Sequence, residues 1–302
     1  MSAYIKDIFH LPECPSWRFC FNLVRNIKKA EATIKNDKKE KHEMKKSMTI
    51  IRLFICIKIL SVIISPAFAD PTFSDSDINT FFPGEKLTYC IKWGYIPAGY
   101  AYLEVLPNET WNEQPVFHFQ LKARTNSFVS KIYEVSDQID SYVSISRNRT
   151  VHYKKRVREG RTRRDITVYF NLKNQTAQYK NFDQYKPPIS IPKYTFDPLS
   201  AFYYVRLFKP DKTKSIFASV TDGKKCVAGK VRYIKQETIS VPYGSFDTWL
   251  IEPDIKDVGG VFEKSKNAKI QIWITNDERR IPVLLRSKVI VGSFYAELIK
   301  IE

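Results

Sequence analysis

Histidine is scarce in this chain, with four among 302 residues. Only His118 and His152 lie beyond residue 70. They fall on different expected strands, and each is expected to be an isolated surface residue. A metal centre needs several ligands in an ordered first shell, and no Cys/His/Asp cluster supplies them, so neither a metal nor any other cofactor is expected. Cysteine is nearly as sparse. Of five, Cys14, Cys20 and Cys56 precede residue 70, which leaves Cys90 and Cys226. Two thiols in an oxidising compartment could bridge, provided their Cα atoms come within about 7 Å; the alternative is two small buried hydrophobes. There is no Gly-x-Ser-x-Gly elbow and no phosphate-binding or dinucleotide glycine loop. Glu134, Asp137 and Asp140 are carboxylates without a catalytic signature, although two facing acids could hydrolyse a glycan.

One targeting signal stands out. Lys45, Lys46 and Arg52 precede and enter an apolar run from Leu53 to Ile64, and Ala67-Phe68-Ala69 closes it. A basic segment, an apolar segment and a small-x-small site together read as a signal peptide cleaved after Ala69. The competing reading is a retained inner-membrane anchor. It is weakened by Lys58 and Pro66, since a charge near a helix centre costs roughly 2.5–3.5 kcal/mol on insertion. Residues 1–43 are Lys-rich and non-periodic. They read as an over-extended start, with translation beginning at Met44 or Met48, or as a basic cytoplasmic tail. The expected organisation is therefore 1–43 outside the fold, 44–69 as the signal, and 70–302 as a single β-rich exported domain in the periplasm.

The net charge is +17, of which residues 70–302 keep +10. An exported basic protein meets anionic headgroups or acidic envelope partners before it meets nucleic acid. The densest charge runs from Lys154 to Arg164, where Lys154, Arg156, Arg161, Arg163 and Arg164 are candidate contacts for an anionic partner. A solvated hairpin tip is the plainer reading.

Alternation with period two runs through most of the exported part, as in Leu87-x-Tyr89-x-Ile91-x-Trp93. Glu159-Gly160 reads as a compact hairpin turn. Asp197 to Phe208 breaks the pattern. Asp197 can cap a helix, Pro198 suits its first position, and Leu199, Phe202, Val205 and Leu207 form an apolar stripe. Short connections imply antiparallel pairing. The expected fold is mainly β: a curved antiparallel sheet or half-barrel of about 12–14 strands, with one amphipathic helix packed on it. Trp93, Tyr95, Phe202, Tyr203, Trp249 and Trp273 are expected to face the interior. They either fill the core or line an apolar cavity for an acyl chain.

Several segments carry a resemblance: Pro83 to Tyr89, Trp93 to Gly99, Asp197 to Tyr204, Asp222 to Lys225, Gly244 to Asp247, Glu252-Pro253, Trp273 to Asp277, and Arg280 to Val283. Together they resemble an exported bacterial family of unknown function, the domain-of-unknown-function family three-one-zero-eight, over about 81–302. The resemblance implies an exported β fold, similar in shape to periplasmic lipoprotein-carrier half-barrels, and implies no activity. Three functions follow as expectations. The first is a non-enzymatic envelope protein that binds a lipid or other hydrophobic ligand in the concave face. The second is a structural or protein-interaction module with a filled core, and the third, weaker, is an envelope glycan hydrolase.

Overall fold

The computed structural model describes residues 81–207, 215–254, 269–289 and 292–302. The expected leader regions, 1–43 and 44–69, lie outside these residues. The chain runs β1 (Lys86–Trp93), β2 (Ile96–Trp111), β3 (Gln114–Thr125), α1 (Ser127–Ser130), β4 (Ser136–Ser144), β5 (Arg149–Glu159), β6 (Thr162–Asn171), β7 (Thr176–Asn181), β8 (Gln184–Tyr185), β9 (Ile189–Ser190) and β10 (Thr195–Phe196). Helix α2 (Pro198–Tyr204) follows with a 3-10 turn, Val205–Leu207. Then come β11 (Ser215–Thr221), β12 (Cys226–Val241), β13 (Gly244–Pro253), β14 (Lys269–Thr275), β15 (Pro282–Val289) and β16 (Gly292–Ile301).

The sixteen strands of the described residues form one sheet, running from β10 through β11 to β16, then β1 through β8, with β9 paired to β7. Sixteen strands exceed the expected number mainly because β8, β9 and β10 have two residues each, too few to show a period. The stretch from Cys226 to Val241 forms the single long strand β12. A register shift between Tyr233 and Lys235 interrupts the alternation there. The pairing is antiparallel except for β10 with β11, where Thr195 faces Ser219 and Phe196 faces Val220. That connection is the one carrying α2, and a helical crossover is what parallel neighbours require.

The sheet is open but strongly curled. Ser190 of β9 lies at one edge and Thr195 of β10 at the other, five residue steps apart. Five steps span at most about 18 Å, whereas fifteen strands laid flat would span roughly 67 Å. The curl brings the β11–β12 turn against β6 and β7. A Cβ placed on Gly223 would fall 2.8 Å from the Val168 side chain and 3.1 Å from Tyr179.

Helix α2 sits within this curl. Asp197 is its N-cap, accepting hydrogen bonds from the amides of Leu199 and Ser200 at 2.8 and 3.1 Å. The carboxylate also accepts from the hydroxyls of Ser141 and Thr150, so β4 and β5 fix the helix start. Burial pushes the Asp197 pKa up, and these hydrogen bonds oppose that shift only in part. Nearly every side of α2 is buried, as expected of a helix inside a core. Tyr203 stacks on Phe119 with ring centroids 4.1 Å apart, and Phe81 packs edge-on against Phe117, Phe119 and Tyr203. At the far end, buried Arg206 donates to both carboxylate oxygens of buried Glu85 at 2.6 and 3.0 Å. Arg279 adds a contact to Glu85 at 3.3 Å.

Candidate functional site

Alternation along each strand separates the helix-facing side from the outer side. Phe119, Ser141 and Thr150 touch α2 or its cap, so they mark the inner face. His118 and Gln120 on β3, and Asp140 and Tyr142 on β4, therefore lie on the outer face. Register extends this face across the sheet: His118 faces Tyr142, Tyr142 faces His152, and His152 faces Tyr169. The four rings form a ladder over β3 to β6, with centroid spacings of 4.3, 5.6 and 5.2 Å. Trp111, at the end of the long β2, lies over it. Its ring stacks on His152 at 4.1 Å and meets Tyr142 at 5.6 Å.

The two histidines are thus neither isolated nor on the surface, contrary to expectation. His118 is 6% exposed and His152 is 1% exposed. A register shift on β2 between Leu106 and Glu109 places Glu109 beside His118. His118 Nδ1 is 2.6 Å from Glu109 and Nε2 is 3.0 Å from Asp140. Burial pushes its pKa down, but the hydrogen bonds to the two carboxylates outweigh burial and hold the pKa above the ordinary value. Asp140 also accepts from Gln120 at 2.6 Å and Gln138 at 2.8 Å. Burial pushes its pKa up, and these donors together with His118 bring it below the usual carboxylate range. His152 differs. Neither of its ring nitrogens has a hydrogen-bond partner among the described residues. Burial, reinforced by the charge of Lys154, lowers its pKa to about 4.

Beside the ladder a cleft of about 640 Å3 opens between the β2–β3, β4–β5 and β6–β7 turns. Trp111 and Tyr169 form part of its wall, with Arg147 from one turn and Leu172 from another.

The basic hairpin is β5–β6, turning at Gly160 with φ +52°. Lys154, Arg156, Arg161 and Arg163 are exposed and Arg164 is half-buried. Asp165 pairs with Arg158 at 2.8 Å and Arg156 at 3.5 Å. The Arg163 guanidinium donates to the Gly160 and Thr162 carbonyls. By alternation Lys122, Lys154, Arg156, Arg158 and Arg163 share the outer face, so positive charge extends from the tip toward the ladder.

Other expected groupings are not assembled. Of the six aromatics, Phe202, Tyr203 and Trp273 are buried, Trp249 is half-buried, Trp93 is 37% exposed and Tyr95 is 93% exposed. Tyr95 occupies the tight β1–β2 turn, where no interior exists. Trp93 ends its strand stacked on Phe294. Trp249 is paired with Ile274, while Trp273 is paired with Leu250, so the two tryptophans lie on opposite faces. Asp137 and Asp140 are likewise on opposite faces of β4, because they are three positions apart, an odd offset. Cys90 and Cys226 are not bridged. Cys90 lies in β1 between Tyr100 of β2 and Glu297 of β16, whereas Cys226 opens β12 opposite Thr221 of β11, so the two thiols share no neighbouring strand. Among the described residues no cluster of three or more His, Cys, Asp or Glu side chains could hold a metal.

An open, mostly antiparallel sheet curled around its own helix defines a mainly-β, half-barrel class of protein. More specifically, the chain belongs to the family described as "Protein of unknown function (DUF3108)", whose pattern matches residues 88–299. Several solved structures are similar. A β-barrel-like protein of the domain of unknown function DUF1849 from Brucella abortus is 11% identical with a TM-score of 0.48, covering 72% of this chain and 96% of its own. A Bacteroides fragilis protein described as exported, with a YmcC-like fold, is 11% identical with a TM-score of 0.34, covering 74% and 98%. A Parabacteroides distasonis protein described as a lipoprotein is 12% identical with a TM-score of 0.31, covering 74% and 96%. No curated protein matches the chain.

Proposed function

We propose that this protein is a non-catalytic module of the bacterial cell envelope. In this reading its core is filled by its own helix, and it docks through the basic β5–β6 hairpin on an anionic lipid surface. Location in the envelope rests on the signal peptide read at 44–69. The docking surface rests on the exposed Lys154, Arg156, Arg161 and Arg163, and the observation that carries the filled core is the packing of α2. Asp197 is tied to β4 and β5, Tyr203 stacks on Phe119, and Arg206 is paired with Glu85. An acyl chain entering the concavity would have to displace these buried groups, which favours the filled core over a lipid carrier. The separation of Asp137 and Asp140 onto opposite faces weighs against glycan hydrolysis, which needs carboxyl groups facing one another. His118 has both nitrogens engaged with carboxylates, a poor arrangement for a general base.

The test has two readouts on protein purified from the envelope of cells expressing the full chain. Native mass spectrometry is expected to show the apo mass; a stoichiometric lipid that survives desalting would refute the filled core. Flotation with phosphatidylglycerol vesicles is expected to carry the protein upward, and the triple variant Arg161→Ser, Arg163→Ser, Arg164→Ser to stay behind. Failure of the wild type to float, or flotation of the triple variant, would refute the docking surface.

A further inference from the structure

The cleft beside the aromatic ladder lies outside the hairpin and has its own chemistry. Its lining includes three aromatic residues, Trp111, Tyr169 and the buried Phe170. Five side-chain amides join them: Asn112, Gln114, Asn171, Asn174 and Gln178. Two cations, Arg147 and Lys173, and Thr176 complete the polar part, and no carboxylate lines the cleft.

Each part narrows the ligand. Amides both donate and accept; the Asn171 Oδ1 already accepts from the backbone amides of Lys173 and Asn174, and the remaining groups suit a ligand dense in donors and acceptors, above all vicinal hydroxyls. Flat aromatic rings offer an apolar face at small entropic cost. A pyranose ring presents that combination, with a C–H face for a tryptophan or tyrosine and a hydroxyl edge for amides. An acyl chain would leave the amides unsatisfied, which is costly. A cationic ligand would meet Arg147 and Lys173 without a counter-charge, whereas an acidic substituent would be complemented by either. At about 640 Å3 the cleft has room for a few sugar rings. The absence of a lining carboxylate fits binding without hydrolysis.

The backbone around the cleft is also unusual. Among the described residues six non-glycine positions have positive φ, and four of them fall in the turns around this cleft, of which Asn112 lines it: Asn112 at +46°, Glu113 at +64°, Asn148 at +49° and Gln175 at +52°. Left-handed conformations at such positions carry strain that concentrates at binding sites. All three turns that form the rim contain at least one of them.

We infer that this cleft binds an acidic oligosaccharide, with sugar rings against Trp111 and Tyr169, hydroxyls on the amides, and an acidic group at Arg147 or Lys173. The inference does not depend on the hairpin surface, and the test separates the two. The full-length protein is applied to immobilised acidic and neutral bacterial polysaccharide fragments, alongside Trp111→Ala, Tyr169→Ala, Arg147→Ser and the triple hairpin variant. Acidic fragments are expected to be retained, roughly tenfold more weakly by Trp111→Ala and by Arg147→Ser. Arg147 is exposed, so its replacement leaves the fold intact, and Tyr169→Ala covers the case in which Trp111→Ala fails to fold. The triple hairpin variant is expected to bind fragments as the wild type does. Retention of no fragment, retention unchanged by Arg147→Ser and Tyr169→Ala, equal retention of neutral fragments, or loss only in the hairpin variant would each overturn the assignment.

Discussion

Replacing His152 by Phe should make the protein more resistant to acid, and the size of the gain follows from where His152 sits. Its ring is stacked under Trp111 and flanked by Tyr142 and Tyr169, its nitrogens lack partners, and its pKa is about 4. In the unfolded chain the same side chain titrates near 6.5. A base with a depressed folded pKa contributes stability that is present above the unfolded value and lost as pH falls toward the folded one. The window therefore runs from about pH 6.5 down to about pH 4. Between pH 7.5 and pH 5 the loss attributable to this one group is about 2 kcal/mol. Phenylalanine keeps an aromatic ring in the stack and removes both the titration and two unpartnered polar atoms. His118 shifts the other way, but it is present in both proteins and cancels in the comparison. The assay is urea unfolding at pH 7.5 and pH 5. The stability difference between His152→Phe and wild type should be about 2 kcal/mol larger at pH 5, corresponding to a melting shift of roughly 4–8 °C for a domain of this size. An equal difference at the two pH values, within about 0.5 kcal/mol, would refute the reasoning.

The opposite sign is expected at His118. Its raised pKa gives stability that is fully present below the unfolded value and lost as pH rises through the folded one, so His118→Gln should cost about 2 kcal/mol at pH 6 and less at pH 9. Asp197→Ala removes a helix cap and the acceptor for two buried hydroxyls; a loss of about 3 kcal/mol is expected in chemical denaturation, and Asp197→Asn should lose less. Because the pKa of Asp197 is raised, its favourable contribution is complete below the ordinary carboxylate value and declines as pH rises. Asp197→Asn should therefore flatten the stability profile in mild acid. Glu85→Gln or Arg206→Met alone should each cost about 3–5 kcal/mol, and the Glu85→Leu, Arg206→Met pair less than either, as read from unfolding midpoints. At Gly99 a Cβ would fall 2.2 Å from the Arg124 carbonyl oxygen, so Gly99→Ala should part β2 from β3 and cost about 3 kcal/mol.

The elements were legible where local chemistry decides them. Asp197 and Pro198 announce the start of α2, and the alternation from Leu87 to Trp93 announces β1. What escaped depends on register. The period-two signal marks a strand with one wet face, but Val116 to Gln120 is buried on both faces, inside by Phe117 and Phe119 and outside by the His118 cluster. Two shifts, between Leu106 and Glu109 and between Tyr142 and Val143, determine which side chains meet across the outer face. No local pattern shows them, so His118 and His152 read as strangers. The basic run at 154–164 was visible, but its internal neutralisation by Asp165 was not. The cleft was invisible for a related reason: three turns distant in sequence build it, and each alone looks like an ordinary polar loop.

One ladder of the sheet has a consequence for how the molecule is made. β1 is flanked by β2 on one side and by β16 on the other, with Leu87 facing Ile301 and Trp93 facing Phe294. Of the described strands, the earliest to emerge during synthesis or translocation must therefore wait for the latest before its second edge is covered. Such distant pairing slows folding, and an uncovered edge invites wrong partners in the interval. Truncation at the C-terminus would not trim a margin. It would remove a strand from the interior of the sheet and leave β15 and β1 as two new open edges.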